Sequence, residues 1–133
     1  MESVKVVVRF TNGKVVKGFT QDFLANKDRF HLHPAERASG EAREVLLKEL
    51  KALFFVKDFG GDPQYDERKK YLEGEKPTGR KVEVTFKDGE ILVGSTLGYD
   101  ASRPGFFFFP ADPKSNNIRV FAVSPSVKNV RYV

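Results

Sequence analysis

The sequence predicts a mainly β protein made of two similar five-stranded barrels, 1–58 and 80–133, joined by a charged linker, 59–79. The first observation is a repeat. Phe86-Lys87-Asp88-Gly89-Glu90-Ile91-Leu92-Val93-Gly94 has a counterpart in Phe10-Thr11-Asn12-Gly13-Lys14-Val15-Val16-Lys17-Gly18. Gly13 maps to Gly89 (89 − 13 = 76). Gly18 and Gly94, Thr20 and Thr96, Phe30 and Phe106, and Pro34-Ala35 and Pro110-Ala111 share that offset. The second observation is apolar–polar alternation with a period of two residues, which marks half-buried strands. The third is the pair of Asn-Gly and Asp-Gly steps, the strongest short-range signal of a hairpin.

In chain order, Val6, Val8 and Phe10 share one strand face, and Lys5, Val7 and Arg9 the other. The second copy sets Val82, Val84 and Phe86 against Lys81, Glu83, Thr85 and Lys87. Asn12-Gly13 and Asp88-Gly89 then predict two-residue turns whose residues tolerate positive φ. Second strands follow over 14–23 and 90–99, each with an internal glycine, Gly18 or Gly94. A glycine there marks a bend, a bulge or a close backbone approach, so each strand is expected to bend sharply and serve two sides of a small barrel.

Polar loops 24–29 and 100–105 lead to third strands, Phe30-His31-Leu32-His33 and Phe106-Phe107-Phe108-Phe109, which Pro34 and Pro110 end. The first copy continues through a charged loop containing Gly40, the second through Ala111 to Asn117. Closing strands are expected at 45–48 and 53–56, and at 120–123 and 130–133. Residues 44–56 also carry leucines at helical spacing among good helix formers. The matching stretch holds Ser124-Pro125-Ser126 and many valines, which favours strands in both. In the linker, Asp62-Pro63, early Asp66-Glu67 and late Lys69-Lys70 fit a short solvated helix over 62–73, with Tyr65 and Leu72 touching a barrel. A flexible linker is the alternative.

The 133 residues hold 13 Phe and no Trp, so the aromatic content is mostly core filler. A unit of 50–60 residues is marginal alone, which favours two units packed on each other or on other chains. The absence of cysteine excludes disulfides and thiolate chemistry and suits a reducing compartment. With no secretory leader at Met1-Glu2-Ser3-Val4-Lys5 and no apolar run of membrane-spanning length, the expected location is the cytoplasm, away from membranes. A net charge of +5 is compatible with a polyanion, although no Lys/Arg-rich tract is present.

This order of strand, Asp/Asn-Gly turn, glycine-bearing strand, apolar strand and two short strands resembles the Sm/LSm family, which includes Hfq, and other SH3-like barrels share its outline. Phe86, Asp88, Gly89, Gly94, Tyr99 and Asp100 match the family's first signature. Phe10, Asn12, Gly13, Gly18 and Phe23 match it in the first copy, where Leu24 replaces the aspartate. The resemblance implies the barrel and a mode of assembly, in which the edges of the last two strands pair with neighbours to form rings. It does not carry RNA binding over. The opening helix has no room, the base-holding asparagine falls near Asp28 and Pro104, and the second signature is absent from both copies.

Alternation turns Phe107 and Phe109 out of the second barrel, where His31 and His33 stand in the first. Cover for the phenylalanines comes from the first copy or the linker, from a partner subunit, or from stacked bases beside Arg103. His31 and His33 share a strand face without a third ligand, so they are interface or surface residues, and no metal is expected. Lys27, Arg29 and Arg103 lie on equivalent loops and are the candidates for phosphate contact. No Ser/His/Asp set, phosphate-cradling loop or carboxylate pair is present, so no enzyme and no cofactor are expected. The expected function is a non-catalytic binding module that assembles with itself or another protein through strand edges and the Phe107/Phe109 face. The alternative is an Sm-like RNA- or DNA-binding protein.

Overall fold

A computed structural model describes residues 3–35, 41–61, 64, 67–68 and 70–133. Ten antiparallel strands dominate it: β1 (Val4–Phe10), β2 (Val15–Thr20), β3 (Arg29–Pro34), β4 (Arg43–Leu46), β5 (Leu50–Val56), β6 (Arg80–Phe86), β7 (Ile91–Thr96), β8 (Gly105–Pro110), β9 (Asn117–Val123) and β10 (Val127–Tyr132). Two 3₁₀ turns, Leu47–Glu49 and Ser124–Ser126, separate the last two strands of each half. Residues 44–56 are therefore strand, turn and strand, as the valine-rich counterpart implied. No helix among the described residues is long and apolar enough to cross a membrane.

The strands pair in the order β10-β6-β7-β8-β9-β5-β1-β2-β3-β4. The expectation of two separate barrels is thereby corrected: one open ten-stranded sheet runs through both halves, with β10 and β4 as its edges. The join is β5 against β9, with Ala52 opposite Ala122, Leu53 opposite Phe121 and Phe54 opposite Val120. Its physical reason is the cost of an unpaired edge. β5 and β9 would each leave a row of N–H and C=O groups without partners, and pairing satisfies both rows.

The hairpins differ in detail from the two-residue turns expected. Gly13 has φ +91° and Gly89 φ +97°, and no non-glycine residue among those described has positive φ. Gly13 N–H donates to Phe10 C=O (3.0 Å) and Phe10 N–H to Lys14 C=O (2.9 Å), with equivalent bonds at 86–90. Only the glycine takes the left-handed conformation, as in a three-residue loop with a bulge. The side chains of Asn12 and Asp88 instead accept the N–H of Lys14 and Glu90.

β2 runs the length of β1 but pairs with β3 only at Gly18–Pro34 and Phe19–His33. β7 and β8 pair only at Gly94–Pro110 and Ser95–Phe109. A Cβ on Gly18 would lie 2.4 Å from His33 O, and one on Gly94 2.1 Å from Phe109 O. The glycines are thus where one backbone lies against another. Buried Thr20 and Thr96 fix the same crossing by donating to His31 C=O (2.9 Å) and Phe107 C=O (2.7 Å).

Two apolar cores result, and each takes residues from both halves. The first holds Val6, Val8, Phe10, Phe30, Leu32, Leu53 and Phe55, with Phe121 and Val123 inserted from β9. The second holds Val82, Val84, Phe86, Phe106 and Phe108, with Ala52, Phe54 and Val56 inserted from β5. Every residue of β5 is buried, because its two faces look into different cores. A strand buried on both faces loses the period-two signature, so β5 offered no alternation to set against the helical reading of 44–56.

Of the helix expected over 62–73, Asp62, Pro63, Tyr65, Asp66 and Lys69 lie outside the described residues, as does Gly40 of the earlier loop. The described residues of that stretch form no helix. Leu72 is exposed rather than packed on a barrel. Other residues tie the linker down. Phe59 meets Phe19 edge to face at 5.2 Å, and its C=O accepts from Lys17 Nζ. Arg68 pairs with Glu75 and donates its backbone N–H to Asp112 of the second half.

Candidate functional site

A groove of about 810 Å³ lies where the two halves meet. Ala25 and Asn26 of the β2–β3 loop approach from one side. Leu97 to Asp100 and Arg103 of the β7–β8 loop approach from the other, and Phe107, Phe109, Arg119 and Phe121 line it as well. The strand periodicity explains this lining. Phe106 and Phe108 turn into the second core, so Phe107 and Phe109 must take the opposite face of β8.

That face is covered unevenly. Phe107 is half-buried against the first core, with ring centroids 4.9 Å from Phe121, 6.0 Å from Phe55 and 6.2 Å from Phe23. Its cover comes from within the chain. Phe109 stays 38% exposed.

Arg119 is the residue the sequence reading missed. It lies on β9 on the same side as Phe121, and its guanidinium carbon is 4.4 Å from the ring centroids of both Phe55 and Phe107. Loss of solvent pulls this guanidinium below its ordinary value, though arginine stays charged at neutral pH. The signal in the sequence was a charge two residues before Phe121, on the face that β9 buries. It was hidden because the strand was expected to begin at 120. Asp100, across the groove, accepts from Ser102 N–H (2.9 Å) and Ser102 Oγ (2.6 Å). These bonds, with Arg103 at 3.7 Å, hold its carboxyl below the usual range.

The three loop cations are not gathered at one place. Arg103 lines the groove and is well exposed. Arg29 lines a separate cavity of about 260 Å³ and is ion-paired to Asp28 (3.1 Å) and Glu44 (3.2 Å). Lys27 is exposed on its loop. His31 lies with Nδ1 2.7 Å from Asp22 Oδ2, and its backbone N–H donates to Asp22 Oδ1 (2.9 Å). Burial alone would raise the Asp22 carboxyl, but the hydrogen bonds from His31 and Thr20 outweigh it and leave it lowered. His33 is half-buried beside the Gly18 crossing. Among the described residues no group of three or more His, Cys, Asp or Glu is placed to hold a metal.

A second junction lies at the hairpin turns. Lys51, 8% exposed, reaches from β5 to Asp88 (2.7 Å) and Glu90 (2.5 Å), with its Nζ 4.9 Å from the Phe86 ring centroid. Ser126 Oγ donates to Lys51 C=O (2.7 Å). One lysine therefore ties the first half to the turn of the second.

Among known proteins, one family model matches residues 2–133, and its description is a family of unknown function (DUF6982). No curated protein and no solved structure matches the chain.

Proposed function

The chain belongs to DUF6982, a family of unknown function, and we propose that it is a non-catalytic interaction module. In this reading it consists of two Sm-like halves, 1–58 and 80–133, locked together as a pseudo-dimer through one continuous sheet, with partner proteins adding strands at β4 and β10. The observation that carries it is the β5–β9 join. The last strand of one unit pairs with the fourth strand of the other, and the same two kinds of strand, β10 and β4, keep an unpaired side. Such edges accept an extended segment through main-chain hydrogen bonds.

The internal join also argues for what the partner is. Phe30 opposite Val45 corresponds to Phe106 opposite Ala122, and Val8 opposite Leu53 to Val84 opposite Val130. A second copy added in the same register would set Asn129 against Val45, Val130 against Glu44 and Arg131 against Arg43. Opposed like charges destabilise a strand pair. At that end the positions of Phe107 and Phe109 are also taken by His31 and His33, so the apolar cover of the internal join is missing. A partner strand carrying a carboxylate suits these edges better than a copy of the chain.

Sedimentation velocity tests this. The wild-type chain is expected to stay monomeric at micromolar concentration, and Arg43→Glu, which opposes an acid to Arg131 and leaves the Arg131–Glu83 pair of β10 and β6 in place, to promote head-to-tail association at low salt. A stable wild-type oligomer that Arg43→Glu dissociates would reject the register. The nucleic-acid reading rests on the net charge of +5 and on Arg103 and Arg119 in the groove. It requires a complex with single-stranded RNA or DNA that weakens steeply with salt in a gel-shift series.

A further inference from the structure

Arg119 is held in a way that folding alone does not require. Its guanidinium lies over two adjoining phenylalanine rings, Phe55 of the first half and Phe107 of the second, 4.4 Å from each centroid, the rings themselves being 6.0 Å apart. Among the described residues no carboxylate stands within ion-pair distance of it. A partly desolvated cation without a counter-charge costs stability, and an apolar side chain would fill the place more cheaply. Lys51 shows the other solution at the same join, with Asp88 and Glu90 both in contact. The two rings meet the charge of the Arg119 guanidinium without taking up its N–H donors, which suit an oxyanion.

The groove beside it supplies the rest of a site. Leu97, Tyr99 and Phe109 give it apolar walls, and Leu97 and Phe109 are exposed there. Its charged lining is Arg119 and Arg103 against Asp100, two positive and one negative, which leaves one positive charge. We propose that this groove binds a small organic monoanion, a carboxylate or sulfonate on a planar apolar body. The oxyanion is received by Arg119 and the body by the wall of Phe107, Phe109 and Leu97. This site is independent of the strand edges β4 and β10.

The test uses the full chain and two fluorescent probes, anilinonaphthalenesulfonate and its uncharged counterpart phenylnaphthylamine. The sulfonate is expected to bind one per chain. Arg119→Gln should weaken it by about tenfold, the worth of one charge-assisted hydrogen bond. The uncharged probe should change by less than about twofold, since it makes no such bond. Arg119→Lys, which keeps the charge, should restore part of the sulfonate affinity and serves alone if Arg119→Gln does not fold. In that case benzoate must displace the sulfonate from wild type more effectively than from Arg119→Lys. Equal sulfonate binding by wild type and Arg119→Gln, or by wild type and Arg119→Lys if only that folds, overturns the proposal. So does displacement by inorganic phosphate as effective as that by benzoate, because the apolar body then plays no part. Displacement by a single-stranded oligonucleotide but not by benzoate overturns it in favour of a polyanion.

Discussion

Lys51 shows how much one side chain carries at the join. Its ammonium is nearly buried, yet Asp88 and Glu90 are each partly exposed, so solvent screens the pair and tempers its worth. Lys51→Met is expected to cost about 1–2 kcal/mol in urea denaturation, mostly through leaving two carboxylates to repel each other. The hydrogen bond from Lys51 lowers the Asp88 carboxyl from its ordinary 3.8. A lowered carboxylate stabilises the fold above its unfolded value, and that stability is lost as pH falls through the folded value. The melting temperature should therefore drop on the acid side, below about pH 4, and Lys51→Met should flatten that drop. The glycines give a sharper contrast. Gly94→Ala drives a Cβ to 2.1 Å from Phe109 O, whereas a Cβ on Gly98 meets nothing within 4 Å. Gly94→Ala should cost about 2–3 kcal/mol and Gly98→Ala stay within about 0.5 kcal/mol, both read from denaturation midpoints.

At the scale of elements, β9 illustrates a strand whose side chains serve two cores. Phe121 is fully buried in the first core although its strand belongs to the second half. Phe121→Ala should cost about 3–5 kcal/mol, and NMR shift changes should appear at Leu53 and Phe55 as well as within 80–133. Strands such as β1 and β6 were legible in the sequence because one face is wet and the other dry, and the hairpins because only glycine takes the left-handed position. The glycine crossings were legible too, since Gly18 and Gly94 recur at one offset. β5 was legible only through its valine-rich counterpart, and from 53 rather than from Leu50, because both its faces are buried and alternation vanishes. Arg119 was hidden for a related reason. Its two ring neighbours come from strands distant in sequence, and nothing local announces that β5 and β9 meet. Phe107 was placed on the correct face of β8, but which surface covers it depends on that same meeting.

For the molecule as a whole, the exchange of Phe54 and Phe121 between cores ties the fate of one half to the other. Heating is expected to show one calorimetric transition whose van't Hoff and calorimetric enthalpies agree. Fragments 1–58 and 80–133, each lacking part of its core, should give poorly dispersed NMR spectra alone and recover dispersion when mixed. Two resolved transitions in the intact chain would show that the halves fold independently. Within one chain the β5–β9 contact is immune to dilution, because the tether holds its two sides at high effective concentration. The equivalent positions of the two halves can then differ, as Phe107 and His31 do. The two edge strands are unlike each other: β4 has four residues, while β10 has six and follows a proline-containing turn. The molecule has a head and a tail, so whatever attaches at one end cannot attach by the same contacts at the other, and any chain of attachments it enters has a direction.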